Sequence, residues 1–112
     1  MRPVYQTKFG GIDGPETEYG DCMNACIASV FEIGLKDTPD FVGSLTNGEW
    51  FFRLQKWLHQ RNLGIIMLPA NPIDVPAGYA VAAVKSHTLP NPKDGHMVVV
   101  KNGLLAHAPN PA

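Results

Sequence analysis

The residues best equipped for chemistry are two cysteines and four histidines. Cys22 follows Asp21, a residue type that can cap a helix. From there Met23, Cys26, Ile27, Val30 and Phe31 recur at helical spacing. At about 100° per residue, Cys26 falls inside this apolar stripe and Cys22 points off to one side. Cys22 is therefore expected in the first turn, where unpaired N–H groups and the helix dipole favour an anion. A thiol there should have a lowered pKa and act as a nucleophile, although Asp21 and the acids of the preceding loop oppose this. Taken alone, Cys22 reads first as a small buried hydrophobe, and Cys26 reads as core.

His96 opens the apolar run HMVVV after Gly95. In a strand, His96, Val98 and Val100 share one face and Met97 and Val99 the other. Both faces are apolar, so the strand should be central. A histidine at its mouth can be a general base, or a strand-end residue satisfied by loop carbonyls. His59 falls on the polar side of a helix, His87 in a loop, and His107 on the last strand in a structural role. Cys22, Cys26, His96 and His107 could nominally hold zinc, but a C-x3-C pair on one helix is unlike the usual C-x2-C knuckle. No metal site is expected. GGIDG lacks the Lys and Ser/Thr of a phosphate loop, and no cofactor is expected. Cys22 and His96 together form the nucleophile and base of a cysteine hydrolase.

These groups must be positioned by a chain of 112 residues and 12.2 kDa, expected to form a single domain over 1–112. Apolar residues make up 45% and charged residues 17%, the composition of a folded globule. The net charge of −1 gives no basic excess for nucleic acid. No apolar run approaches the roughly 20 residues of a membrane span, and no secretory-type leader is seen. A cytoplasmic setting is expected. With 11 Gly and 10 Pro in clusters, the loops are clearly marked.

The pattern predicts a short edge strand over 3–9, a loop over 10–20, and a helix over 22–33 closed by Gly34. A second helix, capped by Asn47, carries the stripe Trp50, Phe51, Leu54, Trp57 and Leu58 and ends near 62–64. Strands follow at 64–70, 79–86 and 96–100, with Asn102-Gly103 as a hairpin turn into LLAHA. Helices first and strands after predict an α+β domain, with two N-terminal helices packed on a small antiparallel sheet.

The segments GDCMNACIASVFEIGLKDTPDF, GEWFFRLQKWL, GYAVAAVKS, GHMVVVKNG and HAPNP resemble small phage and prophage proteins of the papain-like, bacteriocin-leader-peptidase-like cysteine hydrolase family. The resemblance covers nearly the whole chain. Its most specific parts are GDC-x3-C at the helix start and GH before an apolar strand. It implies a minimal papain-like fold, with Cys22 as nucleophile and His96 as base. It also implies Gln6 as an oxyanion donor beside the Cys22 N–H. Such proteins typically end in His-Asp-Pro, the Asp orienting the catalytic His. Here that position holds Ala108, and Asn110 is the available substitute. The implied function is peptide or amide hydrolysis without a cofactor, on a peptide or protein substrate, in the host cytoplasm if the protein is phage-encoded. The alternative is a degenerate papain-like module that binds or inhibits a host protein.

Overall fold

The computed structural model describes residues 1–11, 14–15, 19–45, 47–67, 77–85 and 95–110, with only the backbone of Lys85 and Gly95. The chain divides into two compact units, one formed by Met1–Thr38 with Ala70–Ala112 and the other by Pro39–Pro69.

The first unit is α+β. Helix α1 spans Cys22–Phe31, followed by a 3-10 turn at Leu35–Asp37. The sheet is antiparallel with order β1-β2-β3: β1 Tyr79–Lys85, β2 Gly95–Lys101 and β3 Leu104–His107. The central strand is the one that carries His96. Val98 and Val99 point to opposite faces yet are both buried, as expected for a strand covered on each side. Helix α1 lies against β1 and β2. It buries Ala25, Cys26, Ile27, Ala28 and Ser29, so small side chains allow a close approach.

Helix α1 stops two residues before the expected end. Glu32 takes the left-handed conformation (φ 57°), and the Ile33 N–H reaches back to the Ala28 carbonyl at 3.0 Å, closing the helix as a Schellman motif. Gly34 is not needed for this and adopts extended backbone. Asp21 precedes α1 without capping it: its side chain makes no bond to the helix start. Instead its carboxylate accepts the Thr7 N–H at 2.8 Å, the Thr7 hydroxyl at 2.8 Å and the Lys8 N–H at 2.9 Å. The competing donors come from a segment that sequence reading assigned to an edge strand.

That segment, 3–9, joins no ladder among the described residues; nearby, Gly10 and Tyr19 form an isolated bridge. It is held by side chains instead. The Val4 N–H donates to Ser29 Oγ at 2.8 Å, Ser29 Oγ donates to the Ala25 carbonyl at 2.7 Å, and the Arg2 N–H donates to the Ser29 carbonyl at 3.0 Å. The β2–β3 turn matches expectation. Asn102 and Gly103 have φ of 53° and 80°, as a type I′ turn requires. The Asn102 side chain also accepts the Gly78 N–H at 2.7 Å, tying the turn to the entry of β1.

The second unit carries α2, Glu49–His59. Asn47 Oδ1 accepts the Glu49 N–H at 3.0 Å, close to the expected capping role. Asn62 (φ 60°) and the Leu63 N–H to the Leu58 carbonyl close α2 by the same motif that closes α1. Within this unit Leu54, Trp57, Leu58 and Phe41 are buried. Arg61 stacks on Trp57, 3.6 Å from the ring centroid. Residues 64–67 form no strand, contrary to the expected strand over 64–70, whose last three positions lie outside the described residues. Gly64 and the following Pro69 leave too short an apolar run to sustain a ladder.

Ser29 is fully buried and is the hinge pin of the N-terminal segment. Ser29→Ala strands the Val4 N–H and is expected to cost roughly 1–3 kcal/mol, the penalty of an unsatisfied buried donor. A urea midpoint identical to that of the parent protein would contradict this.

Candidate functional site

Cys22 is the first residue of α1, as the apolar stripe predicted. Its sulfur lies against β2: the Met97 N–H donates to Cys22 Sγ at 3.4 Å. The contact exists because β3 is short. It pairs with β2 only along Val99–Lys101, so the His96–Met97 end of the central strand lacks a neighbour from β3. The start of α1 occupies that position. Residues 75 apart in sequence, the expected nucleophile and the residue next to the expected base, are thereby joined.

The electrostatics differ from the sequence expectation. Burial raises the Cys22 pKa above the ordinary thiol value. The amides of Met97, Met23 and Cys22 itself pull it down, and Asp21 pushes it up, but desolvation is the largest effect. The expected thiolate at the helix start is therefore a thiol at neutral pH. Cys26, also deprived of water, is pushed up to about 12, with the Cys22 charge as a second cause. His96 is partly buried at the mouth of β2, opposite Val84 on β1. Desolvation lowers its pKa below 6.5, so its imidazole is neutral at pH 7. The resting pair is thiol and imidazole.

Gln6 is buried, at 7% exposure. Its backbone N–H donates to the Pro109 carbonyl at 3.0 Å, and its Nε2 donates to the Lys8 carbonyl at 2.9 Å. A methyl group on Gly20, two residues before Cys22, would touch Nε2 at 3.8 Å. The Gln6 amide thus lies beside the entry to α1. One Nε2 hydrogen remains uncommitted, and Oε1 is buried without a hydrogen-bond partner. A buried orphan acceptor costs stability unless something donates to it.

Asn110 is partly buried, immediately after the fully buried Pro109. Ala108 is partly buried between His107 and Pro109. His107 has the structural role expected of it. Its Nε2 sits 2.7 Å from the Val4 carbonyl, and its ring meets Tyr5 edge-on at 5.0 Å between centroids. A carbonyl only accepts, so Nε2 carries the proton. Among the described residues no group of three or more Cys, His, Asp or Glu side chains could hold a metal ion. The one element of the site without a sequence signal is the Met97 N–H. A backbone donor has no side-chain type to mark it, and only the early end of β3 frees it.

No family model, no curated protein and no solved structure matches the chain.

Two pH effects follow. The folded state favours the Cys22 thiol, so the stability it contributes is present below the ordinary thiol pKa and declines as pH rises through the raised folded value. The folded state also favours neutral His96, so its contribution is present above pH 6.5 and declines as pH falls through the lower folded value. Iodoacetamide labelling of the native protein should therefore be slow at pH 7 and climb only above the ordinary thiol range at Cys22. Cys26 should label only after denaturation. A fast labelling plateau on the acid side of pH 7 would refute the dominance of burial.

Proposed function

We propose that this chain is a cysteine hydrolase of papain-like type, acting on a peptide or amide bond, with Cys22 as nucleophile and His96 as base. The observation that carries the reading is the 3.4 Å contact of Cys22 Sγ with the Met97 N–H, which brings the sulfur to the residue that follows His96. A helix-start cysteine alone or a strand-start histidine alone would be unremarkable; a cysteine sulfur on the amide next to that histidine supports a working pair.

In this reading the neutral His96 ring takes the Cys22 proton as the sulfur attacks the substrate carbonyl. The carbonyl electrons become the oxyanion, accepted by the Cys22 N–H and by the uncommitted hydrogen on Gln6 Nε2. Protonated His96 then donates to the leaving amine as the C–N bond breaks. Water, deprotonated by His96, hydrolyses the thioester and returns the thiol. The third residue in this reading is Asn110. Asn110 lies three residues beyond His107, where β3 leaves the ladder with β2, and carries an amide side chain that Ala108 lacks. Pro109 has no N–H to offer the ladder, and its carbonyl is taken by Gln6, which ends regular pairing there. A cytoplasmic setting, a phage origin and a peptide or protein substrate belong to the same proposal. No helix among the described residues is long and apolar enough to cross a membrane.

A second reading, a degenerate module that binds a host protein, draws support from Ala108 and from the thiol state of Cys22. Covalent labelling separates the two. An epoxysuccinyl or acyloxymethyl-ketone peptide probe should modify Cys22 in the parent protein. His96→Gln should slow the reaction by roughly 10²–10⁴-fold, the usual contribution of a general base. Asn110→Ala should slow it and Ala108→Asp should speed it by steadying the imidazolium. Equal labelling of the parent and His96→Gln would leave only the binding module.

A further inference from the structure

We infer that the Met97 backbone N–H is a working part of this site: it is the sheet-borne donor that accommodates negative charge on Cys22 Sγ as the thiolate forms. The inference rests on the cysteine-hydrolase reading and adds to it a group that comes from neither a side chain nor the helix. The first ground is geometry. The N–H lies at 3.4 Å from the sulfur, a distance suited to an N–H···S bond, and Cys22 is its partner along a stretch of β2 that β3 does not reach. The second ground is convergence. The amides of Met23 and Cys22 also pull the thiol pKa down, so donors from a helix start and from a sheet edge act on one atom. Successive or converging backbone N–H groups make a concavity suited to an anion. The third ground is the residue at 108, an Ala, which offers no charge to an imidazolium.

The charge balance is simple. The Sγ proton passes to a ring nitrogen of His96, the sulfur gains the electron pair, and the Met97 N–H shortens its contact to the new anion. When sulfur bonds to the substrate carbonyl carbon, that charge moves to the carbonyl oxygen and the contact relaxes. The titratable groups that bear on Cys22 are Asp21, just ahead of α1, and Cys26, on it; His96 precedes the donor residue on β2. The Asp21 carboxylate is occupied by Thr7 and Lys8. In the 3-10 turn packed on α1, Asp37 folds back toward Gly34, and Tyr79 stands at the far end of β1 by Lys101.

The test is a titration of the ¹⁵N-labelled full chain, following the Met97 amide proton beside the thiolate absorbance. The Met97 resonance should move downfield with the same midpoint as Cys22 ionisation, and the Val99 resonance should not follow it. In Cys22→Ala, the Met97 amide should exchange with solvent at least about tenfold faster, having lost its acceptor. Chemical ligation at Cys26 gives a second variant, with an ester in place of the Met97 amide. Its thiolate midpoint should rise by about one pH unit, a tenfold smaller thiolate fraction at a given pH. A Met97 resonance that stays flat while Cys22 ionises, or an ester that leaves the midpoint unmoved, overturns the inference. Probe labelling of Cys22 that survives either result leaves the hydrolase reading standing without it. A tracking amide in a protein that no probe labels removes the hydrolase reading, and the catalytic meaning of the donor with it.

Discussion

The short third strand is the constraint on which the site depends. Strand β3 leaves the ladder after His107, and the central strand continues for four more residues, Val98 to Gly95. Exposed strand edges present unpaired N–H and C=O groups that have to be satisfied. Here one of them, the Met97 N–H, is satisfied by a cysteine sulfur at the head of α1. Sulfur is a weak acceptor, so the bond is a poor substitute for a ladder partner in the resting state. It becomes a good bond only if the sulfur is charged. A sheet edge finished by a thiol is thus biased toward the state in which that thiol has lost its proton, while burial biases it the other way. The opposition of these two effects sets how readily Cys22 can react.

The N-terminal segment is what makes this arrangement rigid. It runs without a ladder between α1 and the end of β3, held by specific hydrogen bonds and by the edge-on contact of Tyr5 with His107. Ser29 holds Val4, Asp21 holds Thr7 and Lys8, His107 meets the Val4 carbonyl, and Pro109 receives the Gln6 N–H. Two of these anchors, Asp21 and Pro109, adjoin residues in the proposed machinery. Gln6 sits in the middle, with its amide pinned on one side by Lys8 and its Oε1 left bare. Folding tolerates such an orphan at a cost of about 1–3 kcal/mol. Strain and unmet polarity of this kind gather where a surface is kept ready for a ligand.

What the sequence made legible follows from the type of signal involved. Helical spacing located α1 and put Cys22 at its first turn, because apolar periodicity reports on a local face. Asn102-Gly103 located the β2–β3 turn, because only a few residues accept two positive φ angles. The α+β class followed from element order. Signals that depend on competition were misleading. Asp21 looks like a cap, but three donors from Thr7 and Lys8 outbid the helix start. Residues 3–9 look like a strand, but side chains of α1 and β3 claim their backbone first. The ionisation of Cys22 was misjudged for the same reason: the helix start is visible in sequence, whereas the depth at which packing buries it is not. His96 was legible as a strand-mouth residue, and its neighbour's amide was not.

In the proposed site, the neutral state of Cys22 and His96 changes what a third residue would have to do. In a site that rests as thiolate and imidazolium, a carboxylate beside the histidine stabilises a charge present at all times. In a site that rests as thiol and imidazole, the imidazolium exists only during proton transfer, and the requirement is orientation of a neutral ring. An amide side chain such as Asn110 can orient a ring through its carbonyl without favouring the charged form as strongly as a carboxylate would. The Ala at 108, the desolvation of His96 and the desolvation of Cys22 are then mutually consistent. A carboxylate in a site this poor in water would itself carry a desolvation cost. Backbone amides around the sulfur carry none of that cost, since their dipoles are fixed by α1 and β2 whether or not the sulfur is charged. The proposed chemistry therefore shifts the stabilisation of charge from a side chain beside the histidine to the backbone around the cysteine.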